Sequence, residues 1–161
     1  MATTTTYAAI RDNWITLIEA LTPAVLPEYK FRRAPRHKYL DDFASETGSA
    51  AMRAFSIELE DQDPDPFTMP FETVERNERA LISVAYPVAP ALYGRTDFDE
   101  MEVVMRRDAR QIRDLLFSSS SYLAGQSAAF PARQTLDRGD DHTWFLTLRV
   151  SLIYTEAQSL T

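Results

Sequence analysis

The chain has 161 residues, 45% of them hydrophobic and 11% aromatic, which suits one ordinary domain built around one core. Its formal net charge of −7 disfavours non-specific binding to phosphate backbones as the main activity. Cysteine is absent, which excludes disulfides, thiol catalysis and thiolate metal sites together, and no stretch approaches the roughly 20 consecutive apolar residues of a membrane helix.

The opening run Met1-Ala2-Thr3-Thr4-Thr5-Thr6 has neither a positive region nor an apolar core, so no signal peptide is expected. Tyr7, Ile10, Trp14, Leu17, Ile18 and Leu21 then recur at steps of three and four, which predicts an amphipathic helix of roughly four turns. The threonines can cap it, and Pro23 stops it. Tyr29 to Arg33, between Pro27 and Pro35, reads as a short strand. His37 to Ser49 is polar and its apolar positions keep no period, so it reads as a long loop.

From Ala51 to Glu60 the pattern alternates: Phe55, Ile57 and Leu59 point one way, Ser56, Glu58 and Glu60 the other, as a half-buried strand requires. Asp63-Pro64-Asp65-Pro66 ends that strand, because proline donates no ladder hydrogen bond and restricts the residue before it. A second strand from about Arg76 to Tyr86 places Ala80, Ile82, Val84 and Tyr86 on one face, making a long antiparallel hairpin with an acidic loop.

Asp97 to Leu116 is the strongest helix. Thr96 or Asp97 can cap it, with Glu100 in capping-box position. Met101, Val104, Met105, Ala109, Ile112, Leu115 and Leu116 form its apolar stripe. Ser118 to Ser121 and Gly125 end it, and a loop holding Phe130 and Pro131 follows. Trp144, Leu146, Leu148, Val150, Leu152 and Tyr154 alternate with more polar residues in the clearest strand, and Ala132 to Leu136 is a candidate partner across the Gly139-Asp140-Asp141 turn. The fold class expected is α+β: one mainly antiparallel four- to five-stranded sheet packed against two α-helices, with a long β-hairpin and extended loops. Residues 1–161 form a single domain, with 1–6 and 156–161 as flexible tails.

The residues offer little reaction chemistry. Only four glycines exist, at 48, 94, 125 and 139, so neither a dinucleotide fingerprint nor a phosphate loop can be written. His142 follows Asp140 and Asp141, but neighbouring side chains on a strand or turn diverge and seldom close on one ion. No serine sits in a glycine-flanked elbow. Asp97 and Asp99 are accounted for as helix-start charges, and Trp14 and Trp144 as core. No catalytic residue, metal or cofactor is expected, and the protein is read as not an enzyme.

Charge is unevenly spread. Lys30, Arg32, Arg33, Arg36 and Lys38 form a basic stretch, and Glu58, Glu60, Asp61, Asp63 and Asp65 an acidic one. Such a bipolar layout suits head-to-tail contacts between copies of one protein, or else describes two solvated loops. Arg106, Arg107, Arg110 and Arg113 form a third group, either an anion or partner site or an exposed helix face paired locally with Glu102 and Asp114.

The order of elements, a helix starting at Tyr7-Ala-Ala-Ile, a long hairpin, the Asp97–Leu116 helix and the strand Trp144-Phe-Leu-Thr-Leu-Arg-Val-Ser-Leu-Ile-Tyr, resembles the tail terminator proteins of long-tailed bacteriophages over about Tyr7 to Thr155. It is a likeness of elements and lengths without a diagnostic short motif, and the related head–tail joining or neck proteins share it. The resemblance implies a structural virion protein of the tail or neck, assembled in the host cytoplasm. A hexameric ring would cap the tail tube, bind the tail tube protein and the head connector or neck proteins, and pass DNA through its lumen without specific binding. It implies no membrane and no active site. The expected subunit contacts, read from charge, are Arg32, Arg33, Arg36 and Lys38 of one copy against Glu58, Glu60, Asp61 and Asp63 of the next. The alternatives are a non-viral cytosolic adaptor domain without catalysis, and a small hydrolase or transferase whose site has no sequence signature.

Overall fold

The apolar alternation of residues 143–157 builds the strand on which both of its neighbours register. In the computed structural model, which describes residues 3–36, 38–60, 73–88, 99–137 and 143–157, this strand is β5, Thr143–Ala157. The other elements, in chain order, are α1 (Tyr7–Ala20), β1 (Arg32–Arg33), α2 (Leu40–Thr47), β2 (Ala54–Leu59), β3 (Thr73–Pro87), α3 (Asp99–Leu116) and β4 (Gln126–Asp137). Short 3-10 turns span Gly48–Ala51 and Ser119–Ser121. The protein is thus α+β, and among the described residues five strands form one sheet in the order β1-β2-β3-β5-β4.

All pairings are antiparallel except β1 with β2, which run parallel. The β2–β3 pair is the hairpin expected from sequence, with Ile57 opposite Ile82. β3 and β5 stay paired from Thr73↔Ala157 to Pro87↔Thr143, so the centre of the sheet is a long ribbon. β4 is an edge strand carrying Pro131 and two register shifts, features that blunt an edge against unwanted pairing. Phe130 and Pro131, read from sequence as loop, lie within this strand. The loop expected at Asp61–Thr73 lies outside the described residues except for Thr73, which opens β3, and the caps Thr96 and Asp97 also lie outside them.

The core follows from the two periodicities. Phe55, Ile57, Ala80, Ile82, Val84 and Tyr86 meet Leu146, Leu148, Val150 and Leu152 on one face of the sheet. Ile10, Trp14 and Ile18 of α1 and Met101, Val104, Met105, Ala109, Ile112 and Leu116 of α3 cover that face. Thr6 caps α1, its Oγ1 accepting from the Ala9 amide at 3.2 Å.

The reading of His37–Ser49 as a loop is corrected: it contains α2, a third helix. Leu40 and Ala44, four apart, are buried with Phe43 half-buried beside them, a face too short to show a period amid Asp41, Asp42, Ser45 and Glu46. Gly48, at φ 57, ends it. α2 packs on Ala54 and Ala85, which alternate with Phe55 and Tyr86 along their strands and so belong to the opposite face of the sheet. The sheet therefore has α1 and α3 on one side and α2 on the other.

Residues 3–6 run beside the end of β5. The Thr5 amide donates to Thr155 O at 2.8 Å, and the Thr155 amide donates to Gly125 O at 2.9 Å. Glu156 and Ala157, expected as part of a tail, are paired in β5.

Candidate functional site

The main polar cluster inside the molecule surrounds Arg53, which stands between the 3-10 turn after α2 and the start of β2, with its side chain fully buried. All five guanidinium N–H groups have acceptors. Nε and Nη2 hold Asp108 of α3 in a fork, at 2.6 Å to Oδ2 and 3.1 Å to Oδ1. Nη1 donates to Leu26 O and Tyr29 O, both at 2.8 Å, and Nη2 to Val25 O at 2.6 Å. The Tyr86 hydroxyl donates to Asp108 Oδ2 at 2.8 Å, and the guanidinium stands over the Phe31 ring at 5.5 Å.

Burial pushes the Asp108 carboxyl above the usual carboxylate range, while the hydrogen bonds and charge of Arg53 and the Tyr86 hydroxyl oppose that shift. Every contact named on this carboxyl is a donor, so the cluster is built to hold the anion. Among the described residues the two non-glycine backbones at positive φ, Leu26 (53°) and Arg53 (59°), both belong to this knot. A cation saturated by five acceptors and closed to solvent has no valence left for a ligand. Its work is mechanical: it ties the α1–β1 connection, the head of β2, β3 and the middle of α3 into one unit.

Neither Arg53 nor Asp108 stood out in the sequence reading. The signal for Asp108 was present, because it falls four residues after Val104 and four before Ile112, inside the apolar stripe of α3. A lone carboxylate in the centre of such a stripe demands a buried partner. Nothing comparable marks Arg53, since its backbone conformation is set by tertiary contacts.

Of the residues expected to make subunit contacts, Arg32 and Arg33 form β1 at one edge of the sheet and Glu58 lies on the neighbouring β2. Arg32 and Arg36 are exposed, and Arg33 is half-buried. Burial and the neighbouring Arg36 and Arg11 lower the affinity of Arg33 for its proton. Lys38 is ion-paired with Glu46 of α2 within the same chain. Glu58 is exposed on β2, and Glu60 is paired with Arg149 at 2.8 Å. Asp61 and Asp63 lie outside the described residues, as do His142, Asp140 and Asp141. Since β1 pairs with β2, with Arg33 opposite Phe55, the basic stretch and Glu58 are neighbours within one subunit. Both Arg33 and Glu58 act on the Tyr7 hydroxyl. The structure does not set them at opposite ends of the molecule.

A cleft of about 330 Å3 opens beside this edge, lined by Glu28, Tyr29, Lys30, Arg32, Ser49, Ala50 and Met52. Its cations are engaged locally: Lys30 Nζ donates to Thr22 Oγ1 at 3.2 Å and Arg32 Nη2 reaches Ala50 O at 3.4 Å. Among the described residues no three His, Cys, Asp or Glu side chains gather in a metal-holding group, and no helix is long and apolar enough to cross a membrane.

The remaining candidates are helix faces. On α3, Arg106, Arg107, Arg110 and Arg113 are exposed, and Arg110 approaches Asp114 only to 3.9 Å. Compared with protein-family models and with curated proteins, the chain matches none.

Proposed function

We propose that this protein is a structural virion protein, a tail terminator whose subunits form a ring that caps a phage tail tube and joins it to the head connector. What carries the reading is the order of elements: an amphipathic helix, then after β1 and α2 a hairpin, a long amphipathic helix and a closing hairpin, on a sheet whose central ribbon pairs over its full length. The charged groups support it as well. The strongest polar cluster is sealed inside as a brace, while the unsatisfied charge sits on helix faces and a sheet edge, where another protein can reach it. A ring of an acidic protein suits a lumen that DNA must traverse without sticking.

The test is solution mass by light scattering at low and moderate salt, followed by electron microscopy with a polymerising phage tail tube protein. Rings on their own, or caps that stop tube growth at stoichiometric protein, are the expected result. A protein that stays monomeric and leaves tube length unchanged would sink the proposal. The second reading, a cytosolic adaptor domain without catalysis, draws on the arginine face of α3 and would be favoured by a monomer that captures an acidic partner.

A further inference from the structure

The sheet sorts charge in a way that position along the chain does not reveal. α3 covers one face of the sheet, and its outward side exposes Arg106, Arg107, Arg110 and Arg113 around Val103, which is 43% exposed. α2 covers the opposite face, and its outward side exposes Asp41 and Asp42 next to Tyr39, which is 75% exposed, while its Glu46 is paired with Lys38. The two surfaces thus look away from the sheet in opposite directions, each with one apolar contact and opposite charge around it. Arg106, Arg107 and Arg113 make no side-chain ion pair with another described residue, nor do Asp41 and Asp42.

We infer that the arginine face of α3 docks on the α2 face of a second copy of this chain, which is the contact that closes the ring. This inference rests on the ring reading above and names its interface. A heterologous, head-to-tail contact needs two different and complementary patches on each subunit, and the α3 and α2 faces are such a pair. The lengths agree: Arg106 to Arg113 spans about 10 Å of helix and the eight residues of α2 about 12 Å. Val103 and Tyr39 supply the apolar centre, and the charges set register and select the partner. The bipolar contact therefore runs between α3 and α2, since Lys38 and Glu60, expected from sequence to bridge subunits, are already paired within their own chain.

The absence of cysteine makes the test direct. A chain carrying both Tyr39→Cys and Val103→Cys, oxidised after assembly, is expected to run as a ladder of covalent multimers on a reducing-agent-free gel. Each single-cysteine variant is expected to give no species beyond a dimer. In parallel, Arg106→Glu with Arg110→Glu lowers the scattering mass to that of the monomer at moderate salt, and adding Asp41→Lys with Asp42→Lys to the same chain restores the multimer. Circular dichroism confirms that each variant keeps its helices. If the unmodified protein is multimeric but the double-cysteine chain gives no ladder and the charge swaps change nothing, this interface is wrong while the ring survives. A protein that is monomeric alone and on tail tubes overturns both. Swap variants that keep the full mass but lose affinity for a duplex DNA probe would assign the arginines to the lumen and overturn the interface.

Discussion

Replacing Arg53 by methionine removes a buried cation and leaves its partners in place. Asp108 would keep a charge with only the Tyr86 hydroxyl beside it, and Val25 O, Leu26 O and Tyr29 O would each lose a charge-assisted donor. Breaking a buried ion pair by removing one member costs about 3–5 kcal/mol, and methionine inherits the unfavourable backbone at φ 59. For a domain of this size each kcal/mol lowers Tm by about 2–4 °C, so the expected fall is about 6–20 °C. Thermal unfolding followed by circular dichroism reads it, and urea titration with an unchanged slope shows that the folded state has lost stability. Arg53→Lys keeps the charge but offers three donors where five are used, and should fall between wild type and Arg53→Met. Joining Arg53→Met to Asp108→Leu should recover part of the loss, since the double variant no longer buries an unpaired charge. A fall of less than about 3 °C for Arg53→Met, or a double variant as weak as the two singles added, would refute the claim that this knot holds the layers together.

Two further outcomes follow from single residues. The Tyr7 hydroxyl is buried without a hydrogen-bond partner among the described residues, and burial raises its pKa to about 12. The folded protein therefore keeps this phenol neutral while the unfolded chain ionises it, so its contribution is complete below pH 10 and is lost as pH rises toward 12. Tyr7→Phe should leave stability at pH 7 unchanged or slightly higher and flatten the alkaline fall seen by urea titration; an unchanged slope between pH 10 and 12 would contradict this. Gly125 has φ 92, and a Cβ there would lie 2.7 Å from the Thr4 carbonyl carbon and 2.9 Å from the Thr5 nitrogen. Gly125→Ala should cost about 1–3 kcal/mol and speed hydrogen exchange at the Thr5 amide, whereas unchanged exchange would show that residues 3–6 do not depend on this contact.

Much of the fold was written locally. The stripe from Tyr7 to Leu21 and the one from Met101 to Leu116 each specify a helix and the face it buries. The alternations of 80–86 and 144–154 specify which side of each strand meets those helices. α2 was illegible because its buried face consists of little more than Leu40 and Ala44, and five of its eight residues are polar or acidic. What makes it helical is the patch formed by Ala54 and Ala85, residues whose alternation also serves the other core and so conceals a second buried face. β4 was shortened in the reading because Pro131 and the register shifts interrupt its pattern. The candidate surfaces were legible in kind, since both charged segments and the arginine group were visible, but their placement was not. Whether two charges share an edge or lie on opposite faces is decided by strand order, and β1 beside β2 brought together groups that the chain separates by more than twenty residues.

The Arg53 knot bears on the proposed docking faces. A head-to-tail contact closes into a ring only if the rotation it imposes between successive subunits closes, and otherwise it gives an open filament, so the relative placement of the two contact surfaces on a subunit matters. Here one surface lies on α2 and the other on α3, across the sheet from each other. Arg53 follows α2 by one 3-10 turn, and Asp108 sits on α3 directly beneath Arg107 and Arg110, facing inward where they face out. The bidentate bond between them therefore links the segment that follows α2 to the buried side of α3. A planar fork with five occupied donors adds geometric specificity to the packing between these layers. In the proposed ring the buried ion pair gains a second use beyond stability, as an element that helps to fix the placement of the two contact surfaces.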